Sequence, residues 1–277
     1  MLPALERNGI SLFAISYDSV AILAAFAAKH GIRYALLSDE GSHTLGRLGL
    51  INERVHEDHA VYGIQPNSRH AGVPYPGVFV LDERGIVVRK RFHESYRERD
   101  TGTGLLAQSL GILDTPRGAE TAASGATVGV RAWLDSPTYS VFQRLHLSVE
   151  LTVAPGLHVY GAPAPDGATP LSLDVSPIDG LELRPMNWSE PRRFRVTGVD
   201  EEFWVHEGTV HGTLPLAFTA PPGGGDHVLK AALSYQACGE GICHPPEVVR
   251  LELPLKEIAL VDRSLPNARP ETPRTSG

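Results

Sequence analysis

The sequence predicts two domains of different class, an α/β domain over residues 1–112 and an all-β sandwich over residues 127–258. In the first part, strand patterns alternate with helix patterns, which is the order found in α/β folds. Beyond it the helical periodicity disappears, and short apolar or alternating runs follow one another, separated by proline and glycine. With 277 residues, the chain is long enough for each domain to bury its own core.

The α/β part opens with a compact apolar run and a well-delimited helix. Asp18 or Ser19 can cap the start of this helix, and Gly31 suits its end because glycine tolerates a left-handed backbone. The turn Asp-Glu-Arg-Gly at residues 82–85 joins two later strands into a hairpin. In chain order we predict strand Ile10–Ser16, helix Val20–His30, strand Tyr34–Leu37, helix Ser42–Leu48, strands Val78–Leu81 and Ile86–Phe92, and helix Thr103–Leu110.

Between the two domains the composition changes. Residues 113–126 are rich in threonine, alanine, glycine and proline and cannot build a core, so we predict an interdomain linker. About seven strands should form the sandwich. They are Val128–Leu134, Arg144–Val153, Leu157–Tyr160, Leu171–Val175, Thr213–Thr219, Val228–Tyr235 and Val248–Leu255. The tail, residues 259–277, is predicted to be disordered.

Composition excludes some classes of function. The net charge of −7 argues against a nucleic-acid partner, because phosphate contacts need a basic face. No apolar run approaches the roughly 20 residues that span a bilayer, so we predict no membrane span. No secretory signal pattern is visible at the N-terminus, and no motif calls for a cofactor or a bound metal.

The chain has two cysteines, Cys238 and Cys243, with four residues between them. Strand patterns flank the pair, and Gly239 and Gly241 permit the positive φ of a tight turn, so a disulfide can form across a hairpin neck. A bridge over so short a loop removes only about 2 kcal/mol of unfolded-chain entropy, which suits a purely stabilising role poorly. The spacing therefore favours a reversible redox pair.

Three alternatives stay open for this pair. The two thiols and His244 supply three ligands, whereas a structural zinc takes four, and no second pair stands at ligand spacing. The pattern Cys-x4-Cys-His is also an expanded form of the haem attachment motif, here in a strand-rich context and followed by Pro245 and Pro246. An inert structural disulfide is the third alternative.

Four segments of the first domain carry a resemblance. They are Ile15-Ser16-Tyr17-Asp18-Ser19, the stretch 26–32, Leu36-Leu37-Ser38-Asp39, and the stretch 73–82 with Pro74-Tyr75-Pro76-Gly77. In this order they resemble the redoxin group, meaning the AhpC/TSA and thioredoxin-like proteins, over about residues 5–112. The resemblance implies a thioredoxin-like fold. It also implies a supporting role for Pro76, which matches a proline that in this group is often cis and packs against the active-site cysteine.

The first domain departs from that group in one respect. Redoxins carry their reactive cysteine ahead of the strand matched by Ile10–Ser16, and residues 1–9 look like the end of the helix that follows it. A thiolate is the nucleophile of redoxin chemistry, so residues 1–112 alone should have no peroxidase or reductase activity. We expect an N-terminally truncated domain from a late start, with a degenerate scaffold as the alternative.

The second domain carries a more specific motif, Tyr235-Gln236-Ala237-Cys238 followed by Cys243-His244-Pro245-Pro246. It resembles the N-terminal domain of the thiol:disulfide interchange protein DsbD, an immunoglobulin-like sandwich, over about residues 125–257. The resemblance implies that Cys238 and Cys243 are the catalytic pair. It gives supporting roles to Tyr160, to Tyr235 and to Phe203, which we choose over Trp204 as the aromatic side chain of a cap loop that covers the disulfide.

Two hypotheses of different class follow. In the first, the chain is a thiol–disulfide oxidoreductase whose partners are thioredoxin-like or other thiol–disulfide proteins, in a periplasmic or other extracytoplasmic compartment. In the second, it is a non-catalytic interaction scaffold with a structural disulfide. The sequence does not show which cysteine is attacked first, since His244 adjoins Cys243 and Glu240 lies near Cys238.

Overall fold

The protein is mostly β-sheet with few helices. A computed structural model describes residues 2–60, 72–92, 99–111, 118, 120–195, 202–219, 225–239 and 241–258. The predicted tail and the part of the predicted linker at residues 113–117 and 119 lie outside the described residues, as does Glu240.

The N-terminal part contains the predicted alternation of strands and helices. A parallel pair, β1 and β2, and an antiparallel hairpin, β3 and β4, form two separate two-stranded sheets in the described residues. The elements are α1 (Leu2–Arg7), β1 (Phe13–Ser16), α2 (Val20–His30), β2 (Ala35–Ser38), α3 (His43–Arg47), α4 (Val55–Ala60), β3 (Gly77–Leu81), β4 (Val87–Phe92), β5 (Arg99–Asp100) and α5 (Gly102–Leu110).

Local chemistry accounts for the ends of these elements. Helix α2 ends at Gly31, whose φ of 61° lies in the left-handed region and whose N–H bonds to the carbonyl of Ala27. In the hairpin turn, the carboxylate of Asp82 accepts hydrogen bonds from the backbone N–H groups of Arg84 and Ile86, at 3.0 and 2.9 Å. Both features match the sequence prediction, because each depends on residues that are neighbours in the chain.

The supporting role of Pro76, which the redoxin resemblance implies, stays a prediction. Pro76 lies in the segment that leads into β3, but the peptide bond before it is trans. Among the described residues, the cis peptide bond is Ala162–Pro163, in the C-terminal part of the chain. The small core of the N-terminal part instead involves α1 and α5, where Leu5 and Leu106 are buried together with Ala4.

Two sheets of the C-terminal part face each other across one large apolar core, as predicted for a sandwich. One sheet has the order β12-β16-β9-β7-β6 and the other β11-β17-β20-β8. The strands are β6 (Glu120–Ser124), β7 (Val128–Leu134), β8 (Thr138–Tyr139), β9 (Gln143–Val153), β10 (His158–Tyr160), β11 (Ser172–Val175), β12 (Leu181–Leu183), β13 (Asn187–Trp188), β14 (Arg192–Arg195), β15 (Glu202–His206), β16 (Thr209–Phe218), β17 (His227–Tyr235), β18 (Ala237–Gly239), β19 (Ile242–Cys243) and β20 (Glu247–Glu257).

The prediction that residues 113–126 form a linker is wrong for residues 120–124. These residues form β6, an edge strand that pairs antiparallel with β7. Its side chains alternate between exposed and half-buried, and Ala123 packs against the sandwich core. Arg131 on β7 also binds Glu120 at 2.8 Å. Small residues such as alanine and threonine lack a strong apolar signal, but they fit where a neighbouring strand supplies the burial.

The predicted count of about seven strands is also too low. All seven predicted strands are present within a few residues of their predicted ends, and the described residues contain further short strands. Five strands form a third sheet, in the order β14-β15-β10-β18-β19. One face of this sheet contributes Val159 and Ala237 to the large core. The opposite face carries Cys238, because side chains alternate along a strand.

Contacts connect the N-terminal part to the sandwich. Strand β5 pairs in parallel with the start of β9, with Arg99 opposite Gln143. Next to this pair, the carboxylate of Asp135 accepts hydrogen bonds from His146 Nδ1 at 2.9 Å and from the Thr101 hydroxyl at 3.0 Å. The boundary between the two domains nevertheless stays a prediction.

Candidate redox site

Cys238 and Cys243 form a disulfide between two short paired strands, as the spacing predicted. The two residues face each other directly in the β18–β19 pair, with their Cα atoms 4.1 Å apart. Gly239 pairs with Ile242, and Gly241, directly before Ile242, adopts a φ of 73°. This left-handed conformation suits glycine and permits a tight turn. Two cysteines only five positions apart can therefore lie directly opposite each other.

The two cysteines differ sharply in exposure. Cys238 is only 1% exposed, whereas Cys243 is an exposed residue on an edge strand. Ile242, beside Cys243, is also exposed. A protein that approaches this disulfide therefore meets Cys243 first, and Cys238 lies behind it.

An aromatic cluster surrounds Cys238. Tyr160 on β10 and Val205 on β15 are buried with it, and the partly buried residues around them are Ala164, Ala168, Phe194 and Phe203. The rings of Tyr160 and Phe203 meet edge to face, with centroids 6.4 Å apart. Apolar burial raises the pKa of Tyr160. The cluster thus places two of the predicted supporting residues, Tyr160 and Phe203, around the buried cysteine.

The structure does not bring the other two supporting residues to this cluster. Tyr235, the last residue of β17, is fully buried in the large core between the sheets and does not belong to the cluster around Cys238. Pro76 belongs to the segment before β3, in the N-terminal part. Trp204, the alternative to Phe203, alternates to the opposite side of β15, where the guanidinium of Arg193 lies 5.2 Å from its ring centre.

Two buried histidines also belong to this region, and the sequence analysis gave them no role. His158 faces Cys238 directly in the β10–β18 pair, and its ring lies 4.4 Å from that of Phe194. His206 is opposite Val159 on the neighbouring strand. Strand register between distant segments places His158 on the same face as Cys238, whereas His206 shares the opposite face with Val159, and no local sequence pattern signals either position.

Burial lowers the pKa of His158, with the charge of Glu207 opposing this effect and that of Arg192 adding to it. Burial also lowers the pKa of His206. Below the ordinary histidine value of about 6.5, the unfolded state then binds more protons than the folded state. Their contribution to stability is therefore present above about pH 6.5 and is lost as the pH falls towards the folded-state values.

We expect the urea concentration at the unfolding midpoint to be lower at about pH 5.5 than at about pH 7.5. This difference should be smaller in His158→Phe than in the wild-type protein. Phenylalanine keeps a ring beside Phe194 and Tyr160 but takes up no proton. His211→Asn is the matched control, because the His211 side chain is 62% exposed. Urea titrations at both pH values check this, and an unchanged pH dependence in His158→Phe would count against it.

Among the described residues, no group of three or more histidine, cysteine or acidic side chains could hold a metal ion. The backbone N–H of His244, the third ligand considered for zinc, donates to the carbonyl of Ala237 at 2.9 Å.

Comparison with known families gives two matches. Residues 137–254 match the family described as thiol:disulfide interchange protein DsbD, N-terminal. This range contains both cysteines, Tyr160 and Phe203. Residues 1–90 match the AhpC/TSA family. Both resemblances noted in the sequence are thereby confirmed. Together with the disulfide, the two matches support a thiol–disulfide redox-related role in general.

Solved structures give weaker likenesses. The chain is similar to the N-terminal periplasmic domain of ScsB from Proteus mirabilis, with 17% identity and a TM-score of 0.37, over 49% of this chain and 51% of that chain. It is also similar to the N-terminal domain of DsbD from Neisseria meningitidis in the reduced form, with 17% identity and a TM-score of 0.29, over 53% of this chain and 91% of that chain. The chain thus spans about half the length of the ScsB domain.

No curated protein matches this chain. In the part of the chain that the structure describes, no helix has both the length and the apolar character needed to cross a bilayer.

Proposed function

We propose that the protein is a thiol–disulfide oxidoreductase that uses Cys238 and Cys243 as a reversible exchange pair. The main support is the asymmetry of the disulfide, in which an exposed sulfur-bearing residue on an edge strand is joined to a buried one. A bridge over such a short loop adds little to stability, so a stabilising role accounts poorly for it. We also propose an immunoglobulin-like sandwich for residues 127–258 and a thioredoxin-like fold for residues 1–112.

The exposure difference assigns the two cysteines different parts in the exchange. A partner thiolate attacks the sulfur of Cys243, a mixed disulfide forms, and Cys238 leaves as the thiolate. A second thiol of the partner then attacks the mixed disulfide and releases Cys243, so that the partner becomes oxidised and this protein gains two electrons and two protons. In the opposite direction, the thiolate of Cys243 attacks the partner's disulfide and Cys238 resolves the intermediate.

The partner is another thiol–disulfide protein, for which a thioredoxin-like fold is our proposal. Residues 1–112 contain no cysteine, so they have no thiol to exchange with the pair. The aromatic cluster covers only Cys238 in the described residues. We propose that Tyr160 and Phe203 shield the sulfur of Cys238 from water and so direct the attack of the partner to the sulfur of Cys243. We assign Pro76 and Tyr235 no part in the exchange. Tyr235 is buried in the large core, and Pro76 belongs to the segment before β3 in the N-terminal part.

We propose an extracytoplasmic location, which for a bacterial protein means the periplasm. Disulfides persist in oxidising compartments, whereas cytosolic thiols are kept reduced. The match to the DsbD N-terminal family agrees with this choice.

The reduction potential of the pair tests the proposed function. After equilibration of the full chain with glutathione redox buffers, we expect a potential above about −300 mV, in the range where exchange proteins operate. The Cys238→Ser/Cys243→Ser double variant, which has no thiol, is the control for the assay. A potential far below about −300 mV would favour the scaffold hypothesis instead, and the double variant would then keep its partner binding.

A further inference from the structure

Gln236 lies where the chain passes from one sheet to another. Strand β17 ends at Tyr235, which pairs with Glu247 of β20, and β18 begins at Ala237 in the sheet that holds the disulfide. Gln236 is half-buried and follows directly on the last paired residue of β17. The backbone before Gln236 is thus held by the pairing of β17 with β20, close to the hairpin that carries the two cysteines.

Both ends of the Gln236 amide are used. Its Oε1 accepts a hydrogen bond from the backbone N–H of Thr169 at 3.0 Å, and its Nε2 donates to the backbone carbonyl of His244 at 3.0 Å. An N–H can pair only with the oxygen and a carbonyl only with the NH₂ group, so this network determines the orientation of the amide. Gln236 therefore connects segment 161–169 to the residue that follows Cys243.

Each of these connections matters for a cysteine. Segment 161–169 supplies Ala164 and Ala168 to the cluster around Cys238. On the other side, Cys243 ends a strand of two residues, and the next positions after His244 are Pro245 and Pro246, which have no N–H to donate. The backbone of His244 is held at its N–H by Ala237 and at its carbonyl by Gln236.

From this network we propose that Gln236 is a positioning residue that holds Cys243 beside Cys238 in both redox states. This positioning role rests on the proposed exchange role of the cysteine pair and adds a residue that sets the equilibrium between disulfide and dithiol. When the disulfide is reduced, an anchored His244 keeps the two thiols near each other, so their effective concentration stays high and the disulfide re-forms readily. Without the anchor, the dithiol gains freedom and the disulfide becomes easier to reduce.

Two substitutions at Gln236 remove its hydrogen bond to His244, one with and one without an added charge. Gln236→Glu keeps an oxygen for the N–H of Thr169 but loses the donor to His244, and Gln236→Met loses both bonds at similar side-chain length. Equilibration of the full chain with glutathione should show the equilibrium constant for disulfide formation lowered about three- to tenfold in both variants, which corresponds to a potential raised by about 14 to 30 mV. Circular dichroism and thermal unfolding of each variant show whether it is folded.

Asn187→Asp is the matched control. It makes the same amide-to-acid change at an exposed residue whose Nδ2 donates to the carbonyl of Pro185 at 3.3 Å, and we expect the wild-type equilibrium. A shift in Gln236→Glu alone would assign the effect to the added charge and overturn the proposal. If Gln236→Glu does not fold, Gln236→Met decides.

Different results would overturn the positioning role of Gln236 and the exchange role of the cysteine pair. A wild-type equilibrium constant in folded Gln236→Met overturns the positioning role and leaves the exchange role standing. If no thioredoxin-like protein reduces the disulfide of the wild-type protein, the exchange role is overturned. The shift in the glutathione equilibrium of the Gln236 variants is still expected in that case, because glutathione is a small-molecule couple.

Discussion

Cys238→Ser should form a stable mixed disulfide with a thioredoxin-like protein, and Cys243→Ser should not. The exposed Cys243 remains in the first variant and can attack, but no second thiol is left to resolve the intermediate. In the second variant the remaining thiol belongs to Cys238, which is 1% exposed behind Tyr160 and Phe203. We expect its rate of reaction to be lower by at least about tenfold.

The partner in this experiment is a thioredoxin-like protein whose resolving cysteine is replaced by serine and whose remaining cysteine carries thionitrobenzoate. Attack by the thiolate of this chain releases thionitrobenzoate, which is measured by its absorbance, and the conjugate is measured by mass. Wild-type protein is the control, because Cys238 resolves its mixed disulfide and no conjugate accumulates. Faster conjugation of Cys243→Ser than of Cys238→Ser would show that the roles of the two cysteines are reversed.

Leu147→Ala should lower the free energy of unfolding by about 2–5 kcal/mol. Leu147 is fully buried on β9, a central strand of its sheet, and lies opposite Leu134 on one side and Leu214 on the other. Truncation there removes apolar burial and leaves a cavity that rigid paired strands cannot close. Urea unfolding of both proteins at the same pH measures this loss.

Thr152→Ala on the same strand is the matched control. Thr152 is exposed, so we expect a loss within about 1 kcal/mol, the range of strand propensity. Because Leu147 belongs to the large core and not to the cluster around Cys238, the potential of the disulfide in folded Leu147→Ala should stay at the wild-type value. Equal losses in the two variants would contradict the position of the core.

Local signals were sufficient for much of the fold. Helix α2 matched its predicted ends because its boundaries depend on adjacent residues such as Gly31. Strands such as β7 and β9 were predicted because their buried residues recur with strand periodicity. Strand β6 was missed because its small residues have no apolar signal of their own and become a strand only beside β7.

The site was predicted less completely than the fold. The cysteine pair followed from its motif, and Tyr160 and Phe203 followed from the resemblance to the DsbD N-terminal domain. The structure joins the two cysteines and places both aromatic residues around Cys238. The burial difference between the cysteines did not follow, because it depends on strands that lie far apart in the sequence and on segment 161–169. For the same reason, the contact of Gln236 with Thr169 could not be read from the motif that contains Gln236.

The exchange reaction itself tests the central proposal most directly. The oxidised 277-residue chain is mixed with a reduced thioredoxin-like protein, the reaction is quenched with an alkylating reagent, and the modified cysteines are identified by mass. We predict that Cys238 and Cys243 become alkylated within minutes, with a transient mixed disulfide at Cys243. A disulfide that stays intact while the thioredoxin-like protein reduces a model disulfide in the same mixture would contradict the proposed exchange role.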